Sequence, residues 1–339
     1  MKIKIFRPKS GKIFNCKIIR WLNQNRDLFY DYGIDIREEH TSFDFILIPI
    51  LYLDNRDEVS FEISKNKSYE IIEQYENIIL TDENDNPSLF GYKHLLSDHR
   101  VKYVLKNFLL GREEYKKPTV FGGIKHFQDK NHPSWTGYEF TDEEWAKIQY
   151  SGLDIGFETT WNFPGRFKPS AETYINKSID VFAIFQAVHK GRKFYNQEIG
   201  KYYTEHRVKC WKELHKVRRN IISGTINSKL SNQLQSLSKI SISPFGMGEF
   251  CYRDYEAIFN LSLIIKPDIQ HVKTLINYFE PYKNYIPCKP DYSDVNEKID
   301  LVLSNEELRR DIVTYAYNSF YEKYKKETVV EHLKNNIFL

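Results

Sequence analysis

The sequence predicts an α/β fold with two domains, and three observations support this prediction. Its 339 residues are more than one average domain contains. Short apolar runs typical of buried strands alternate with helical patterns in both halves, which is the order found in open parallel sheets. Residues 238–265 give the clearest case: a strand, a glycine-containing loop, a helix and a second strand. We therefore expect two parallel sheets flanked by helices.

In the first half, runs of apolar residues predict strands, the last of which also fits a short helix. The strand candidates are residues 2–6, 43–53, 77–82 and 102–105. Helical spacing is found at 13–24 and 69–75. The stretch 111–161 is rich in loop-forming residues. Within it, Thr141 and Glu144 form the capping box expected at the start of a short helix.

The second half starts again with an apolar run at 179–185, which predicts a strand. Residues 204–221 are cationic and have helical spacing, and we expect one helix over the whole stretch. Helical spacing also runs from Glu249 to Asn260, where asparagine tolerates the left-handed conformation that often ends a helix. Residues 304–307 form another capping box ahead of a long helical pattern.

Composition excludes several classes of protein. The net charge of +3 does not indicate a general nucleic-acid-binding protein. The four cysteines, at positions 16, 210, 251 and 288, lack the spacing of a zinc site or a disulfide framework. The start of the chain is too short and charged for a signal peptide, and no apolar run reaches the ~18 residues of a membrane span. We expect a cytoplasmic protein, with peripheral membrane contact left open.

The glycine-containing loop carries the strongest functional signal. Gly246 and Gly248 precede a helix, and such a loop can direct backbone N–H groups and the positive end of the helix dipole at an anion. Arg253 lies one turn into that helix, and Glu256 follows on the same side. This cation and carboxylate could hold the diphosphate and a ribose hydroxyl of one nucleotide. Two glycines before a helix also occur in turns without a ligand, so that alternative stays open.

A family resemblance extends this interpretation. The segments Ser-Pro-Phe-Gly-Met-Gly-Glu at 243–249, Tyr-Arg-Asp-Tyr-Glu-Ala at 252–257 and Ile-Lys-Pro-Asp at 265–268 form one pattern. It resembles the nucleotide-sugar-binding half of GT-B glycosyltransferases, most closely the bacterial and viral glycosyltransferase family 1-like proteins. The similarity continues at 203–207 and 285–294, is good over residues 176–315 and is faint before them.

The resemblance implies a fold and a domain order. GT-B proteins have two Rossmann-like domains that face each other across a cleft. Here the acceptor-binding domain would occupy residues 1–175 and the nucleotide-sugar-binding domain residues 176–315. Residues 316–339 would form a C-terminal helix that crosses back to the first domain.

The resemblance also implies an activity, the transfer of a hexosyl or pentosyl group from a nucleotide-sugar to a hydroxyl of a glycan or glycoconjugate, as in polysaccharide biosynthesis. The chain has no Asp-x-Asp motif for a metal, so we expect neither a metal nor a cofactor. Positive side chains would then stabilise the leaving diphosphate. Arg253 is the candidate for this catalytic role and for donor binding. The other donor-binding candidates are Arg207, Gly246, Gly248, Glu249, Tyr252, Glu256, Lys266 and Asp268.

Each of these residues also has a structural interpretation. Arg253 fits a surface ion pair, and Lys266 fits a solvated lysine at a strand end. Glu249 suits the first turn of any helix. Tyr252 fits a core position better than a stacking face for a base.

The acceptor half gives weaker signals. Asp82 follows a predicted strand, at the end where open α/β sheets bind ligands, and is our candidate for a catalytic base. The same residues also fit an ordinary Asx turn. The acceptor-binding candidates are Asp85, His132, Glu158 and Trp161.

Two other functions compete with an enzyme. A non-catalytic GT-B-like protein would keep nucleotide-sugar or glycan binding. The cationic stretch 189–219 could bind nucleic acid, but a solvated helix face explains it better, and we expect no nucleic-acid partner. The patterns fit either inversion or retention, any nucleotide and any oligomeric state.

Overall fold

A computed structural model describes residues 1–6, 17–49, 69–82, 87, 89, 93–117, 137–152, 177–187, 197–246 and 248–338. The chain divides into two compact units. Unit 1 comprises Met1–Ile124, Gln128–Asp154 and Lys325–Leu339. Unit 2 comprises Lys125–Phe127 and Ile155–Tyr324.

Unit 1 contains a sheet of six parallel strands in the order β2-β1-β3-β4-β5-β6. The strands are β1 (Lys2–Ile5), β2 (Asp35–Arg37), β3 (Phe45–Pro49), β4 (Ile78–Asp82), β5 (Val101–Lys106) and β6 (Ile148–Tyr150). The central strands are apolar on both faces, and every residue of β4 is buried. Such continuous burial is typical of a parallel sheet covered on both sides.

Short helices connect these strands. They are α1 (Lys17–Gln24), α2 (Arg26–Asp31) and α3 (Asp142–Ala146), with 3-10 turns at Lys93–Leu95 and Arg112–Lys116. The predicted capping box at the start of α3 is confirmed, because Thr141 Oγ1 accepts from the Glu144 N–H and Glu144 accepts from the Thr141 N–H.

Unit 2 contains five parallel strands in the order β11-β10-β9-β7-β8. They are β7 (Ile179–Ile184), β8 (Ile221–Gly224), β9 (Ser238–Ile242), β10 (Leu263–Pro267) and β11 (Ile286–Cys288). The chain moves outward from β7 to β8 and then returns past β7 to form β9. The strand order therefore reverses between β7 and β9, and α/β sheets bind their ligands at the carboxyl ends of strands at such a switch point.

Five helices in the described part of unit 2 surround this sheet. They are α4 (Gln197–Leu214), α5 (Ser228–Ser236), α6 (Tyr252–Phe259), α7 (Val295–Ser304) and α8 (Glu306–Lys323). Apolar residues of α4, α7 and α8 pack with the strands in one core, which includes Cys210, Val295 and Ile312. Two parallel sheets, each with its helices, confirm the predicted α/β fold class.

Three predicted details of unit 2 are wrong. The helix expected over 204–221 ends at Leu214, because Ile221 and Ile222 pair with β7 as strand residues. Asn305, rather than the predicted Ser304, caps the following helix, and its Oδ1 accepts from Leu308 N–H at 2.9 Å. The left-handed residue after α6 is Leu261, with φ +48°, rather than Asn260.

The last described residues form helix α9 (Lys326–Leu333) and a π turn at Lys334–Phe338, both part of unit 1. His332 Nε2 donates to the Tyr150 carbonyl at the end of β6 at 2.9 Å, and Tyr32 Oη donates to Glu331 at 3.3 Å. Residue 316, where the sequence predicts the C-terminal segment to begin, lies inside α8. None of the described helices combines the length and the apolar character needed to cross a membrane.

Candidate functional site

Two arginines meet the carboxyl ends of β7 and β9, at the switch point of the unit 2 sheet. Arg253 of α6 donates from Nε to the carbonyl of Ile184, the last residue of β7, at 3.1 Å. Arg207 of α4 donates from Nε to the Phe245 carbonyl just beyond β9, and from Nη1 to the Gln186 carbonyl, both at 2.9 Å. Backbone carbonyls of two neighbouring strand ends thus fix both guanidinium groups.

The two guanidinium groups are close enough to act on each other. Burial lowers the pKa of Arg207, and the positive charge of Arg253 lowers it further. The guanidinium of Arg253 also lies over the ring of Phe185, with Cζ 5.8 Å from the ring centroid. Two like charges held together in a partly buried place repel each other, and a bound anion would relieve that repulsion.

No carboxylate in the described part of the chain forms an ion pair with either arginine. The two buried carboxylates of the adjoining loop and helix already have partners. Asp254 is paired with Lys266, with Nζ 2.5 Å from Oδ2, and Glu249 is hydrogen-bonded to His271. Among the described residues, neither Arg207 nor Arg253 therefore has an acidic partner. We call Arg207 and Arg253 the arginine pair.

The glycine loop packs against this pair. A Cβ atom added to Gly246 would lie 3.6 Å from Arg207 Nη2, so the guanidinium runs directly along the backbone of the loop. The Gly246 N–H donates to the Gly248 carbonyl at 2.9 Å. The Gly246 N–H thus has a partner within the loop, and contact between Gly246 and a donor stays a prediction.

Lys266 lies beneath the loop and is fully buried. Its ammonium group donates to the Glu249 carbonyl at 2.8 Å and to Asp254 Oδ2 at 2.5 Å. The same Asp254 oxygen accepts from the Cys251 N–H at 3.0 Å and so caps the start of α6. The solvated strand-end interpretation of Lys266 is wrong. The geometry gives this lysine a supporting position, and its direct contact with the donor stays a prediction.

The remaining donor-binding candidates are spread around the loop. Glu249 is buried and bonds His271 Nε2, a partner that sequence reasoning did not find. Glu256 is partly exposed on α6, three residues after Arg253. Tyr252 is 36% exposed at the first turn of α6, so the favoured core interpretation is wrong for it.

Asp268 is exposed at the end of β10 and stabilises the following turn. Its Oδ1 accepts from the Gln270 N–H and from Tyr285 Oη, both at 3.0 Å. The pattern is that of an Asx turn, in which the side chain holds its own loop. A donor contact by Asp268 stays a prediction.

Two further residues lie behind the arginine pair. His206 is buried beside Arg207 in α4, and its Nε2 is 2.6 Å from Tyr292 Oη. The Phe245 N–H also donates to this nitrogen, at 3.4 Å. The segment 203–207 was visible in the sequence, but nothing there indicated that a tyrosine 86 residues away would meet it.

The predicted catalytic base in unit 1 is part of a buried ion pair. Asp82 ends β4 with 1% of its surface exposed, and Lys106 at the end of β5 donates to its Oδ2 at 2.6 Å. This pairing gives Asp82 a structural role that competes with catalysis, and its role as a base stays a prediction. The acceptor-binding candidates lie outside the described residues. They are Asp85, His132, Glu158 and Trp161.

Within the described ranges, no three side chains of His, Cys, Asp or Glu are grouped so that they could hold a metal ion.

No protein-family profile matches the chain, and no curated protein matches it. Among solved structures, Alr3699/HepE of Anabaena in complex with UDP and glucose aligns with 100% of this chain and 99% of its own, at 11% identity and a TM-score of 0.48. A glycosyltransferase from Rickettsia africae covers 98% of this chain and 84% of its own, at 11% identity and 0.44. T4 phage BGT in complex with UDP and Mn2+ aligns over 100% of both chains, at 10% identity and 0.46. All three TM-scores are below 0.5.

Proposed function

We propose that this protein is a glycosyltransferase that moves a sugar from a nucleotide-sugar to a hydroxyl of a glycan or glycoconjugate. The arginine pair carries the proposal. It lies at the switch point of a doubly wound sheet, has no acidic partner among the described residues and is held by carbonyls of two strand ends. A diphosphate has the charge and the oxygen geometry that two guanidinium groups bind well.

The arginine pair suits the chemistry of sugar transfer. The acceptor oxygen forms a bond to the anomeric carbon, and the bond from that carbon to the diphosphate oxygen breaks with its electron pair going to the diphosphate. The acceptor proton leaves to a base, for which Asp82 remains our candidate. Arg207 and Arg253 would stabilise the charge that grows on the leaving group, so that no metal is required. Glu256 would accept hydrogen bonds from the ribose hydroxyls.

A non-catalytic nucleotide-sugar-binding protein is the second candidate. The Asp82–Lys106 ion pair favours it, because the predicted base is already occupied by a buried cation. Both candidates need the arginine pair, and they differ in turnover. A transferase should slowly hydrolyse its donor when no acceptor is present, and a binding protein should not.

A nucleic-acid-binding function is not favoured. Several positively charged side chains of the cationic stretch 189–219 are paired with acids. They are Lys209 with Asp291, Lys216 with Glu213 and Arg219 with Asp300. A surface that neutralises phosphates needs cations free to release counterions. The pairing supports our expectation that nucleic acid is not a partner.

A thermal-shift screen tests the proposal. The purified protein is heated with a panel of nucleoside diphosphates and nucleotide-sugars, with and without EDTA. Ligands that bind the native state raise the melting temperature. We expect one nucleoside diphosphate and the nucleotide-sugars that contain it to raise the melting temperature by the same amount with and without EDTA. We also expect slow hydrolysis that releases the sugar from the bound nucleotide-sugar.

The matched control is a pair of arginine variants. Arg253→Ala should lose the shift, and Arg218→Ala, at an exposed arginine outside the site, should keep it. No shift with any nucleotide would refute donor binding. A rise in melting temperature with neither hydrolysis of the nucleotide-sugar nor transfer of its sugar to a candidate acceptor would favour the non-catalytic binding protein.

A further inference from the structure

Tyr292 has a backbone conformation that tyrosine rarely adopts. Its φ is +60°, in the left-handed region, and the residue is completely buried. Such strain persists only where the surroundings fix it, and it is concentrated at functional sites. The hydroxyl of Tyr292 is 2.6 Å from His206 Nε2, directly behind the arginine pair.

The hydrogen bonds around His206 indicate that its Nε2 atom is an acceptor. The Phe245 N–H can only donate, so His206 Nε2 accepts in this 3.4 Å contact. The Tyr292 hydroxyl then donates to the same nitrogen. Burial raises the pKa of the Tyr292 hydroxyl well above its ordinary value, which keeps the proton on the hydroxyl.

His206 also fixes Phe245 by ring contact. The two rings are stacked, with centroids 5.2 Å apart and planes 13° apart. Phe245 in turn accepts the Nε–H of Arg207 with its carbonyl. An unbroken series of contacts thus runs from Tyr292 through His206 and Phe245 to Arg207.

We propose that Tyr292 and His206 are positioning residues that set the direction of the Arg207 guanidinium. Tyr292 fixes the ring of His206, and His206 fixes the peptide of Phe245 whose carbonyl holds Arg207. Neither residue needs to touch the ligand. The effect on ligand affinity rests on the proposed diphosphate-binding function of the arginine pair.

The first test needs no ligand. In protein labelled with 15N-arginine, the Nε–Hε signal of Arg207 reports its hydrogen bond to Phe245. We expect Tyr292→Phe, which removes only the hydroxyl, to shift or broaden this signal. The matched control is Tyr278→Phe, since Tyr278 is similarly buried and its hydroxyl donates to the Ala316 carbonyl in the aromatic core. An Arg207 signal that is the same in wild type and Tyr292→Phe overturns the proposal.

The second test measures affinity for inorganic pyrophosphate, by calorimetry. We expect Tyr292→Phe to weaken binding roughly five- to tenfold, the loss typical of one hydrogen bond, and Tyr278→Phe to leave it unchanged. His206→Leu should weaken it further. His206→Gln should recover part of that loss, because its amide oxygen can accept from both neighbours. Equal affinities of His206→Leu and His206→Gln would count against the hydrogen-bonding role.

The two proposals fail in different ways. A wild-type protein that binds neither pyrophosphate nor any nucleoside diphosphate refutes the proposed function, while the Arg207 signal still decides the positioning role. Normal binding by Tyr292→Phe, with an unchanged signal, refutes the positioning role alone.

Discussion

The described part of each unit buries one lysine–carboxylate pair near the carboxyl end of its parallel sheet, but the two pairs have different surroundings. In unit 1, Lys106 and Asp82 lie at the ends of adjacent strands. In unit 2, Lys266 and Asp254 join β10 to the start of α6, next to the arginine pair. Both pairs are completely buried and cancel their own charge. Only in unit 2 do the described residues add two arginines without an acidic partner.

The difference shows how a protein keeps positive charge available for a ligand. If Asp254 were free, it would attract Arg253 from one residue away and compete with a bound anion. Lys266 prevents this by taking Asp254 into the interior. A buried ion pair stabilises little by itself, because desolvation offsets its attraction. In unit 2 we expect its main effect to be that it keeps an acid away from the arginines.

Removing the lysines should give the largest effect. Lys106→Met and Lys266→Met each leave a buried carboxylate unpaired, and each should destabilise the protein by about 3–5 kcal/mol. Urea unfolding measures this loss. Only Lys266→Met should also weaken pyrophosphate binding, because Asp254 is then free to approach Arg253. If both variants weakened binding equally, the proposed difference between the two pairs would be wrong.

A second change at Asp254 controls for simple unfolding. Lys266→Met combined with Asp254→Asn removes both charges, and this double variant should regain most of the lost stability and the affinity for pyrophosphate. Failure to regain either quantity would show that Lys266 acts in some way other than by neutralising Asp254.

Removal of Arg253 should have the next largest effect, on binding and not on stability. Arg253→Ala should weaken binding of the nucleoside diphosphate by about 2–4 kcal/mol, as expected when one of two charged ligand contacts is lost. The free protein should be as stable as wild type or more so, because the repulsion between the arginines is relieved. Calorimetry and thermal unfolding measure the two quantities, and a large loss of stability would contradict this account.

A third buried lysine extends the comparison, because no carboxylate among the described residues is paired with it. Lys177, just before β7, donates to the carbonyls of Ser236 at 2.8 Å and Asn260 at 2.5 Å. Burial, with a smaller effect from the charge of Arg309, lowers the pKa of Lys177 to about 7. The pKa of Lys177 is higher in the unfolded chain, so above pH 7 the unfolded chain binds this proton more tightly than the folded protein does.

The free energy of unfolding should therefore rise by about 2 kcal/mol as the pH is raised from about 7 to about 9. Below pH 7 the destabilisation from burying the charged lysine should be present in full. Lys177→Met should remove this rise and stabilise the protein near neutral pH. Urea unfolding at several pH values measures it. If the free energy of unfolding changed with pH in the same way in wild type and Lys177→Met, Lys177 would not be the cause of the rise in stability.

The smallest expected effect is that of a chelator. If the arginine pair stabilises the charge of the leaving diphosphate without a metal ion, EDTA should leave donor binding and turnover unchanged. The control is an assay with EDTA followed by added Mn2+. Activity that disappears with EDTA and returns with Mn2+ would show that the arginine pair does not suffice.

The longer strands and the glycine loop could be predicted because their signals are local. Apolar runs and the residues around Gly246 lie within a few positions of one another, and β1, β3, β4, β5, β7, β9 and β10 lie close to where strands were expected. The short strands β2, β6, β8 and β11 were not predicted. The two arginines were also identified, although they lie 46 positions apart by sequence number. A family pattern, rather than physical reasoning alone, linked them.

The contacts beneath the loop could not be predicted, because their members are distant in sequence. His271 meets Glu249 across 22 residues and Tyr292 meets His206 across 86. Burial of Lys266 was hidden for a similar reason, since its partner lies on α6. The helix end at Asn260 also depended on distant residues, because the amide of Asn260 donates to Asn232 and Gln235.

The return of the chain to unit 1 after Tyr324 has a consequence for biosynthesis. Helix α9 and the π turn contribute the buried side chains of Val329, Val330, Leu333, Ile337 and Phe338 to unit 1. The ribosome makes these residues after all the described strands of both sheets. Unit 1, although its first strands are made before unit 2, can reach its complete core only after unit 2 has been made. A stop codon just after Tyr324 should therefore damage the first unit to be made and spare the second.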